Sequence, residues 1–391
     1  MPKKDDILNL PYLTIKAVKG LNPILMDIES HQKLECIHCK SSHLRKKDSF
    51  VRQIRHESIG LKQTTLRIKT HKYQCKECKR YFNQRLPGVR PYQRATERLK
   101  EQIFMQHTQG ISQQDLAHTF KLGKGTIERW YHEYYERYGK EMKQRACPLV
   151  LGIDEHFFSR AQGYATTLCD LESHKIFDVV LGRSKRDLGG YLSALKQRDR
   201  VRVVCMDLSS TYKDVVKTYF PNAKIVADRF HVIRLLNQFA MQTYQGLDGS
   251  IKYNRGMLGI LRSKPESLSA KRLEKLKTYL SEHPAIAAVY EFKQKLHQLL
   301  MIKHRTQWQC LKLLPKFLNM VKQLKESPFK ALKTLGRTLY QWREEIVRMW
   351  RYTKNNGITE GFHRKMKLIQ RRAYGFKNFE NYRLRVKVLC S

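Results

Sequence analysis

Two pairs of cysteines have the spacing of a metal site. They are Cys36-Ile37-His38-Cys39 and Cys75-Lys76-Glu77-Cys78. Each pair places two thiolates on one tight turn, and two such turns can close a tetrahedral site with four soft ligands, which suits structural Zn²⁺. His38 lies inside the first turn and is expected to be a bystander. We therefore predict a zinc ribbon over residues 30–90 that holds its metal through Cys36, Cys39, Cys75 and Cys78, with an N-terminal tail over residues 1–29.

Two aspartates stand where strands are predicted to end. The apolar run Leu149–Ile153 leads into Asp154, and the run Val201–Met206 leads into Asp207. In open α/β sheets, the ends of neighbouring strands line the crevice where ligands bind. Two close carboxylates repel each other, and a divalent cation removes that conflict. Oxygen ligands suit Mg²⁺ or Mn²⁺, so the pattern predicts a second metal site of a different kind.

A third carboxylate, Glu360, could complete this second site. It follows a turn at residues 355–359 and opens a basic helix, where the helix dipole favours a negative charge. Two ions held by Asp154, Asp207 and Glu360 could activate a hydroxyl and stabilise a leaving oxygen at phosphorus. The pattern alone leaves an alternative open, because aspartates at strand ends are often simple turn residues.

The elements around these acids predict the domain that positions them. Further strands are predicted at Gly163–Leu168, Lys175–Leu181 and Ala223–Ala227, and helices at Leu188–Lys196 and Tyr212–Tyr219. The order is three strands, a helix, a strand, a helix and a strand. It predicts an α/β fold over residues 148–391, with a ribonuclease H-like mixed sheet.

A long helical segment interrupts this domain. Residues from about 233 to 352 carry Leu, Lys, Gln and Glu at helical spacing, which predicts a helical insertion. Three tryptophans lie in it, at Trp308, Trp342 and Trp350. We expect these aromatic side chains to pack in the core of the insertion.

Residues 94–145 have the pattern of a helix-turn-helix. Ser112 is placed to cap a first helix, the residues around Gly123 form a turn, and a second helix starts at Thr126. Such a second helix can enter the major groove of DNA, and its start would present Lys124, Thr126 and Arg129. A plain helical hairpin would give a similar pattern.

The charge of the chain indicates a polyanionic partner. The 391 residues carry 76 Lys and Arg against 35 Asp and Glu, a formal net charge of +41. Such a surplus repels itself unless nucleic acid or another polyanion is near. The sequence contains no run of about 20 apolar residues, and we expect no signal peptide, because no apolar segment follows the first residues. Together with nine cysteines, an odd number, this predicts a protein of the reducing cytoplasm with no membrane segment.

The C-terminal stretch of the predicted α/β domain is strongly basic. It holds nine Lys and Arg between Arg364 and Lys387, with aromatic residues between them. We expect a track for the DNA backbone beside Glu360. The expected contacts are Arg364, Lys365, Lys367, Arg371 and Arg372. A solvated helix face over a core of aromatic residues would give the same pattern.

Several separated motifs resemble those of a known family. They are Asp154-Glu155, Met206-Asp207-Leu208-Ser209-Ser210-Thr211-Tyr212, Ala227-Asp228-Arg229-Phe230-His231-Val232, Asn356-Gly357-Ile358-Thr359-Glu360-Gly361 and the tail from Lys367 to Arg383. Their types and order are similar to those of bacterial DDE insertion-sequence transposases, above all the ISL3 family. The resemblance covers nearly the whole chain and implies a zinc ribbon, a helix-turn-helix and a ribonuclease H-like domain with a helical insertion.

The resemblance also implies roles for particular residues. The family's first acid falls on Asp154 and its glutamate on Glu360. The second acid is either Asp207 or Asp228. Related Mutator-like transposases place this acid directly after the fourth strand and follow it with a separate motif that ends in His, which favours Asp207. Asp228 and His231 would then support the ligands or position DNA, although His231 could also simply pack against the sheet.

The implied activity is the cutting and joining of DNA at the terminal inverted repeats of an insertion sequence and at a target. Paired ends imply a homodimer or a larger assembly, working on the nucleoid in the cytoplasm. Two other functions remain open at this point. One is a catalytically inert, sequence-specific DNA-binding protein derived from a transposase, and the other is a nuclease that cuts without joining.

Overall fold

The computed structural model of the protein describes residues 7–142, 146–353 and 357–390, apart from the side chains of residues 141, 142, 357, 358 and 360. The chain divides into two compact units, Met1–Glu141 and Met142–Ser391. None of the helices in the described ranges is both long enough and apolar enough to cross a membrane.

The N-terminal unit begins with a mixed sheet. Its strands are β1 (Leu13–Leu21), β2 (Ile24–Ser30), β3 (Leu44–Ile59), β4 (Lys62–Cys75) and β5 (Tyr81–Asn83). Among the described residues they pair in the order β1-β2-β4-β3, with β5 beside β4. The pair of β2 and β4 is parallel, and the others are antiparallel. Apolar side chains on alternate positions, such as Ile28, Ile54 and Ile68, turn to one face and form a buried core.

Residues 13–30 belong to this sheet, which corrects the expectation of a tail over residues 1–29. β1 pairs with β2, and β2 lies against the long strand β4. Part of the signal was in the sequence, because Met26 and Ile28 alternate with the acidic residues Asp27 and Glu29. Met26 and Ile28 are buried, so the strands cover apolar surface that the β3–β4 hairpin could not bury alone.

Three helices follow in the same unit: α1 (Glu97–Thr108), α2 (Gln113–Phe120) and α3 (Lys124–Met142). Ser112 caps α2 as predicted, since its hydroxyl accepts a hydrogen bond from the backbone N–H of Asp115 at 3.1 Å. Phe120 and Ile127 are buried between the helices. The second helix of the motif starts at Lys124, two residues earlier than predicted, so that Lys124 lies in its first turn.

Side-chain hydrogen bonds join the sheet to the helices of this unit. The Arg55 guanidinium donates to the carbonyl oxygen of Phe120 at 2.7 Å, and the Gln63 amide donates to that of Thr119 at 3.1 Å. Both acceptors are at the C-terminal end of α2, where carbonyl groups lack partners within the helix. The buried His56 ring is hydrogen-bonded to the Thr96 hydroxyl at 3.0 Å. The sheet and the helix-turn-helix are therefore packed as one body.

The C-terminal unit contains a second mixed sheet. Its strands and first helices are β6 (Val150–Ser159), β7 (Gly163–Asp170), β8 (Lys175–Leu181), α4 (Lys185–Ala194), β9 (Val203–Met206), α5 (Ser210–Tyr219) and β10 (Lys224–Ala227). In the described chain the strand order is β8-β7-β6-β9-β10. β8, β7 and β6 are antiparallel, whereas β9 and β10 run parallel to β6. This is the ribonuclease H-like arrangement, and the predicted fold class is confirmed.

Helices cover both faces of this sheet. Leu188 of α4 and Val215 of α5 pack on one face. The other face is covered by α13 (Gly357–Arg372) and α14 (Phe379–Leu389), through residues such as Met366 and Tyr382. Burial on both sides explains why β9 is apolar along its whole length.

The predicted helical insertion is present between β10 and α13. Its helices are α6 (Arg229–Leu247), α7 (Arg255–Arg262), α8 (Ala270–Glu282), α9 (Pro284–Met301), α10 (Gln307–Glu326), α11 (Lys330–Gln341) and α12 (Arg343–Arg351). Trp342 and Trp350 are buried in it, as expected. Trp308 is not, because 64% of its surface is exposed in the first turn of α10, where Lys312 lies over its ring.

A buried guanidinium ties the insertion to the sheet. Arg229, the first residue of α6, donates to the carbonyl oxygens of Leu300 at 3.2 Å, Ile302 at 3.0 Å and Met349 at 2.6 Å. These carbonyl groups lie at the C-terminal ends of α9 and α12, where a positive charge is favourable. Burial lowers the pKa of Arg229, and the three acceptors compensate for its lost hydration.

A second buried charge cluster attaches α14 to the sheet. Asp178 of β8 accepts hydrogen bonds from Arg383 at 2.7 and 2.9 Å, from Lys387 at 3.0 Å and from the Tyr191 hydroxyl at 2.9 Å. Burial acts to raise the pKa of Asp178, but the two cations lower it below its ordinary value. Arg383 and Lys387 therefore neutralise an internal carboxylate, and this part of the basic C-terminal stretch does not face DNA.

We expect Asp178→Asn to lower the free energy of unfolding by roughly 3–5 kcal/mol, because it leaves the buried Lys387 and the partly buried Arg383 without this counter-charge. Glu380→Gln is the matched control. Glu380 contacts the same arginine at 3.3 Å but is exposed, and its loss should cost less than about 1 kcal/mol. Urea unfolding measures both variants, and equal free energies would contradict the assigned role of Asp178.

Candidate functional site

The four cysteines of the predicted zinc site converge at one end of the β3–β4 hairpin. The Sγ atoms of Cys36 and Cys78 are 3.6 Å apart, and those of Cys39 and Cys75 are 3.5 Å apart. All four sulfurs lie within 4.8 Å of one another. Sulfurs at about 2.3 Å from zinc form a tetrahedron with edges of about 3.8 Å, so the spacing fits Zn²⁺ and is far too long for disulfides.

The backbone explains how two separate turns form this site. The residue after each cysteine pair, Lys40 or Lys79, adopts a left-handed conformation, with φ of 64° and 61°. Each turn can therefore fold back beneath its two sulfurs. His38 is exposed and is not among the residues that converge, in agreement with its predicted role as a bystander. The donor set is four cysteines.

The two predicted aspartates meet because their strands are parallel and in register. Ile153 of β6 is paired with Met206 of β9, so Asp154 and Asp207 follow side by side. One expectation is corrected, since Asp154 does not end its strand. β6 continues to Ser159 along β7, whereas β9 stops at Met206. The continuing strand holds Asp154 rigidly.

A third residue, His231, reaches the same place from the first turn of α6. Its Nδ1 atom is 2.7 Å from an oxygen of Asp228 and 3.3 Å from Oδ1 of Asp207. Within the described parts of the chain, Asp154, Asp207 and His231 have donor atoms within 4.8 Å of one another and could hold a metal ion. Asp228 is outside this group. It caps α6 through the N–H of Phe230 and supports His231 from behind.

The electrostatics of this site favour a bound cation. Burial and the neighbouring charge of Asp207 raise the pKa of Asp154 to about 7. Burial also raises the pKa of Asp207, with Asp228 adding to the effect and His231 opposing it. The buried Oδ1 atom of Asp207 has no hydrogen-bond partner among the described residues. An oxygen-binding divalent ion would satisfy this atom and offset the repulsion between the carboxylates.

Glu360, the third predicted acid, is in the first turn of α13, but its side chain lies outside the described residues. The same helix does reach the site through His363, three residues later. Nδ1 of His363 is 3.7 Å from an oxygen of Asp154, and its Nε2 is hydrogen-bonded to Thr167 at 3.1 Å. The assignment of Glu360 therefore stays a prediction.

Sequence reasoning missed a polar network beside Asp154. Thr167, which faces Asp154 across the β6–β7 pair, is hydrogen-bonded to both His363 and His156. His156 in turn is hydrogen-bonded to the Tyr382 hydroxyl at 2.9 Å. Burial lowers the pKa of His156 to about 3, helped by the charge of His363. The alternation of β6 was the available signal, because it puts His156 on the same face as Asp154.

Comparison with known proteins agrees with this arrangement. The family model of ISL3 transposases, described as a transposase, matches residues 151–386. The protein belongs to the ISL3 family of transposases. Models for the helix-turn-helix domain of ISL3 transposases and for the zinc finger of the IS204/IS1001/IS1096/IS1165 transposases match residues 84–135 and 32–78.

Individual relatives of this ISL3 transposase are distant. The chain is 25% identical over 369 residues to the transposase for insertion sequence element IS1001 of Bordetella parapertussis, with coverage of 90% of this chain and 87% of the relative. It is 22% identical over 258 residues to the transposase for element IS1557 of Mycobacterium tuberculosis, with coverage of 58% and 57%. The chain is thus similar to insertion-sequence transposases along most of its length.

The predicted DNA-contacting residues of the transposase are accessible. Lys124 and Arg129 are exposed at the start of α3, and Thr126 between them is partly exposed. The predicted cations of α13 are exposed as well. They are Arg364, Lys365, Lys367, Arg371 and Arg372. Lys365 also donates to the carbonyl oxygen of Leu389, and Phe379 and Tyr382 are buried, so the helix face and the aromatic core are present together.

We expect Cys36→Ser combined with Cys75→Ser to abolish zinc binding, because each turn then loses a thiolate. Elemental analysis of purified protein measures the metal. Cys310→Ser, which changes a cysteine of the insertion, is the control and should retain stoichiometric zinc. Absence of zinc from the unaltered protein would contradict the assignment.

The two candidate second acids differ in their expected effect on metal binding. Asp207→Asn changes one of the three residues that converge here and should abolish Mn²⁺ binding at this site. Asp228→Asn changes only the residue that orients His231, and should weaken binding about 10–100-fold. Titration with Mn²⁺, followed by electron paramagnetic resonance, compares them. A larger loss in Asp228→Asn would reverse the assignment.

Proposed function

We propose that this insertion-sequence transposase binds the terminal inverted repeats of its element and catalyses metal-dependent strand cleavage and strand transfer. The supporting observation is the convergence of Asp154, Asp207 and His231 at one edge of a ribonuclease H-like sheet. Their donor atoms lie within 4.8 Å, in a chain whose family model is that of a transposase. We assign Asp154, Asp207 and Glu360 as the acids of a DDE-type site.

Each side chain at this site has its own proposed role. Asp154 and Asp207, with Glu360 as the third carboxylate, would hold two Mg²⁺ or Mn²⁺ ions through their oxygens. His231 holds Asp207 in place and is itself held by Asp228, 2.7 Å away. The ions, when bound, would activate the attacking oxygen and stabilise the leaving oxygen. Thr167 and His363 fix the other side of Asp154.

The proposed reaction has two steps of the same kind. In the first, a water oxygen bonds to phosphorus, the bond from phosphorus to the 3′-oxygen breaks, and the element end is left with a free 3′-hydroxyl. In the second, this hydroxyl oxygen bonds to a phosphorus of the target, whose own 3′-oxygen leaves. One site can serve both steps, because each exchanges one oxygen for another at phosphorus without a covalent protein intermediate.

The other regions supply recognition. The helix-turn-helix would place the start of α3 in the major groove, with Lys124, Thr126 and Arg129 towards DNA. The exposed cations of α13 would hold the backbone near Glu360. Pairing of two element ends would bring at least two chains together, on nucleoid DNA in the cytoplasm.

We expect Asp154→Asn and Glu360→Gln each to abolish cleavage of DNA that flanks the protein's own gene, while binding to that DNA persists. The reason is that the carboxylates serve chemistry and the helix-turn-helix serves binding. Cut ends are mapped after incubation with and without Mg²⁺. Glu155→Gln is the control. Glu155 lies on the opposite face of β6, 3.4 Å from Arg183, and its variant should keep most of the activity.

The same assay separates the alternatives. Binding without any Mg²⁺-dependent cut in the unaltered protein would favour an inert DNA-binding protein. Cut ends that never join to a target would favour a nuclease. Full cleavage by Asp154→Asn would refute the assigned site.

A further inference from the structure

A cleft of about 740 Å³ lies in the N-terminal unit. Its lining does not include α3, the second helix of the helix-turn-helix, here called the recognition helix. One wall is formed by the first zinc turn and β3, and the other by residues 81–94, which lead from β5 towards α1. Its basic lining residues are Arg52, Arg85, Arg90, Arg94 and His38. None of the residues that line it is Asp or Glu. The cleft therefore has the charge of an anion-binding site.

Two of these arginines are exposed and available. Neither the Arg85 nor the Arg94 guanidinium has a hydrogen bond or ion pair among the described residues, and both are exposed. Arg90 instead pairs with Glu97 at 2.9 Å. Arg52 donates to the carbonyl oxygen of Gln93 at 2.7 Å. Burial and the charge of Arg94 lower the pKa of Arg52. Among the described residues, no acidic side chain pairs with Arg52, Arg85 or Arg94, so these three charges are not neutralised, whereas that of Arg90 is.

The wall that carries Arg94 is rigid. The carbonyl oxygen of Arg94 accepts from the N–H of Arg55 at 2.9 Å, and that of Gly88 accepts from Glu97 at 2.8 Å. The Arg52 guanidinium fixes Gln93 between them. These bonds attach the segment to β3 and to α1. Its backbone therefore has a defined position and is not a free loop.

Tyr92, at the tip of this wall, has no packing role. Its surface is 95% exposed, yet its backbone adopts a left-handed conformation with φ of 62°. For a bulky residue this conformation costs about 1–3 kcal/mol, and such strain gathers at ligand-binding sites. Tyr81, also in the cleft lining, is 53% exposed. Exposed aromatic rings beside unpaired guanidinium groups suit a nucleic acid, which offers phosphates together with sugar and base edges in its grooves.

We propose that this cleft is a second contact site for duplex DNA. It takes one phosphodiester strand, with Arg85 and Arg94 on phosphates and the Tyr92 ring against the edge of the groove. This proposal rests on the proposed function, because it assumes that the helix-turn-helix engages the same duplex. The bonds from Arg55 and Gln63 to the end of α2 hold the cleft at a fixed distance from the recognition helix. The N-terminal unit thus grips DNA at two separated places.

Binding of the full-length protein to a duplex from the end of its own element, titrated with salt, tests this proposal. Loss of two phosphate contacts in Arg85→Ala combined with Arg94→Ala should reduce the slope of log Kobs against log salt by about 1.8. Lys271→Ala combined with Lys275→Ala removes the same charge from exposed positions on α8 and should leave the slope unchanged. Tyr92→Ala should weaken binding, and Tyr92→Phe should not.

Hydroxyl-radical footprinting locates the lost contact. The unaltered protein should protect two DNA segments. Arg129→Ala should remove the segment under the helix-turn-helix, and the double arginine variant should remove the other segment only. Arg85→Lys with Arg94→Lys should restore the slope, since the charge is restored. A wild-type slope and footprint in the double alanine variant would overturn the proposal, as would failure of the lysine variant to restore the slope. If the unaltered protein protects both DNA segments but does not cleave the DNA, the result counts against the proposed function and not against the second contact site.

Discussion

Two carboxylates, the buried Asp154 and the half-buried Asp207, are held side by side because β6 and β9 run parallel and in register. Without a cation this placement is unfavourable, since burial and mutual repulsion raise the pKa of Asp154 to about 7. Contacts from neighbouring elements hold the two aspartates in this position. β7 braces Asp154 from one side, and the first turn of α6 brings His231 to Asp207 from the other.

The same turn of α6 connects the site to the insertion. His231 and Asp228 face the carboxylates, while Arg229 between them is buried and donates to the C-terminal carbonyl groups of α9 and α12. The short motif from Asp228 to His231 therefore has two functions. It orients a ligand of the proposed metal site, and it anchors helices whose residues are more than 70 positions away in sequence.

The N-terminal unit is stabilised in a different way, by a cysteine cluster beside a small apolar core. Its sheet buries only small clusters of apolar side chains, and the end of the β3–β4 hairpin depends on four converging sulfurs. A bound metal supplies stability that so small a core lacks. Hydrogen bonds from Arg55 and Gln63 then join the sheet to the helix-turn-helix. In the proposed function, this unit serves the recognition of DNA.

Features that depend on neighbours in sequence could be predicted from the sequence alone. The cysteine turns, the Ser112 cap and the apolar strand that ends before Asp207 are local patterns with local physical causes. The resemblance of the motifs to those of the family also predicted the order of the domains. The family motifs also favoured Asp207 over Asp228 as the second acid, and in the structure Asp207 lies with Asp154 and His231, whereas Asp228 is outside this group.

Other features were decided by tertiary structure. The continuation of β6 past Asp154, the pairing of β2 with β4 and the use of Arg383 and Lys387 by Asp178 all depend on distant partners. A basic residue in a basic stretch looks the same whether it faces DNA or an internal carboxylate. Only the fold brings Asp178 and Arg383 together, across 205 positions of the chain, because burial and pairing are properties of the packed molecule.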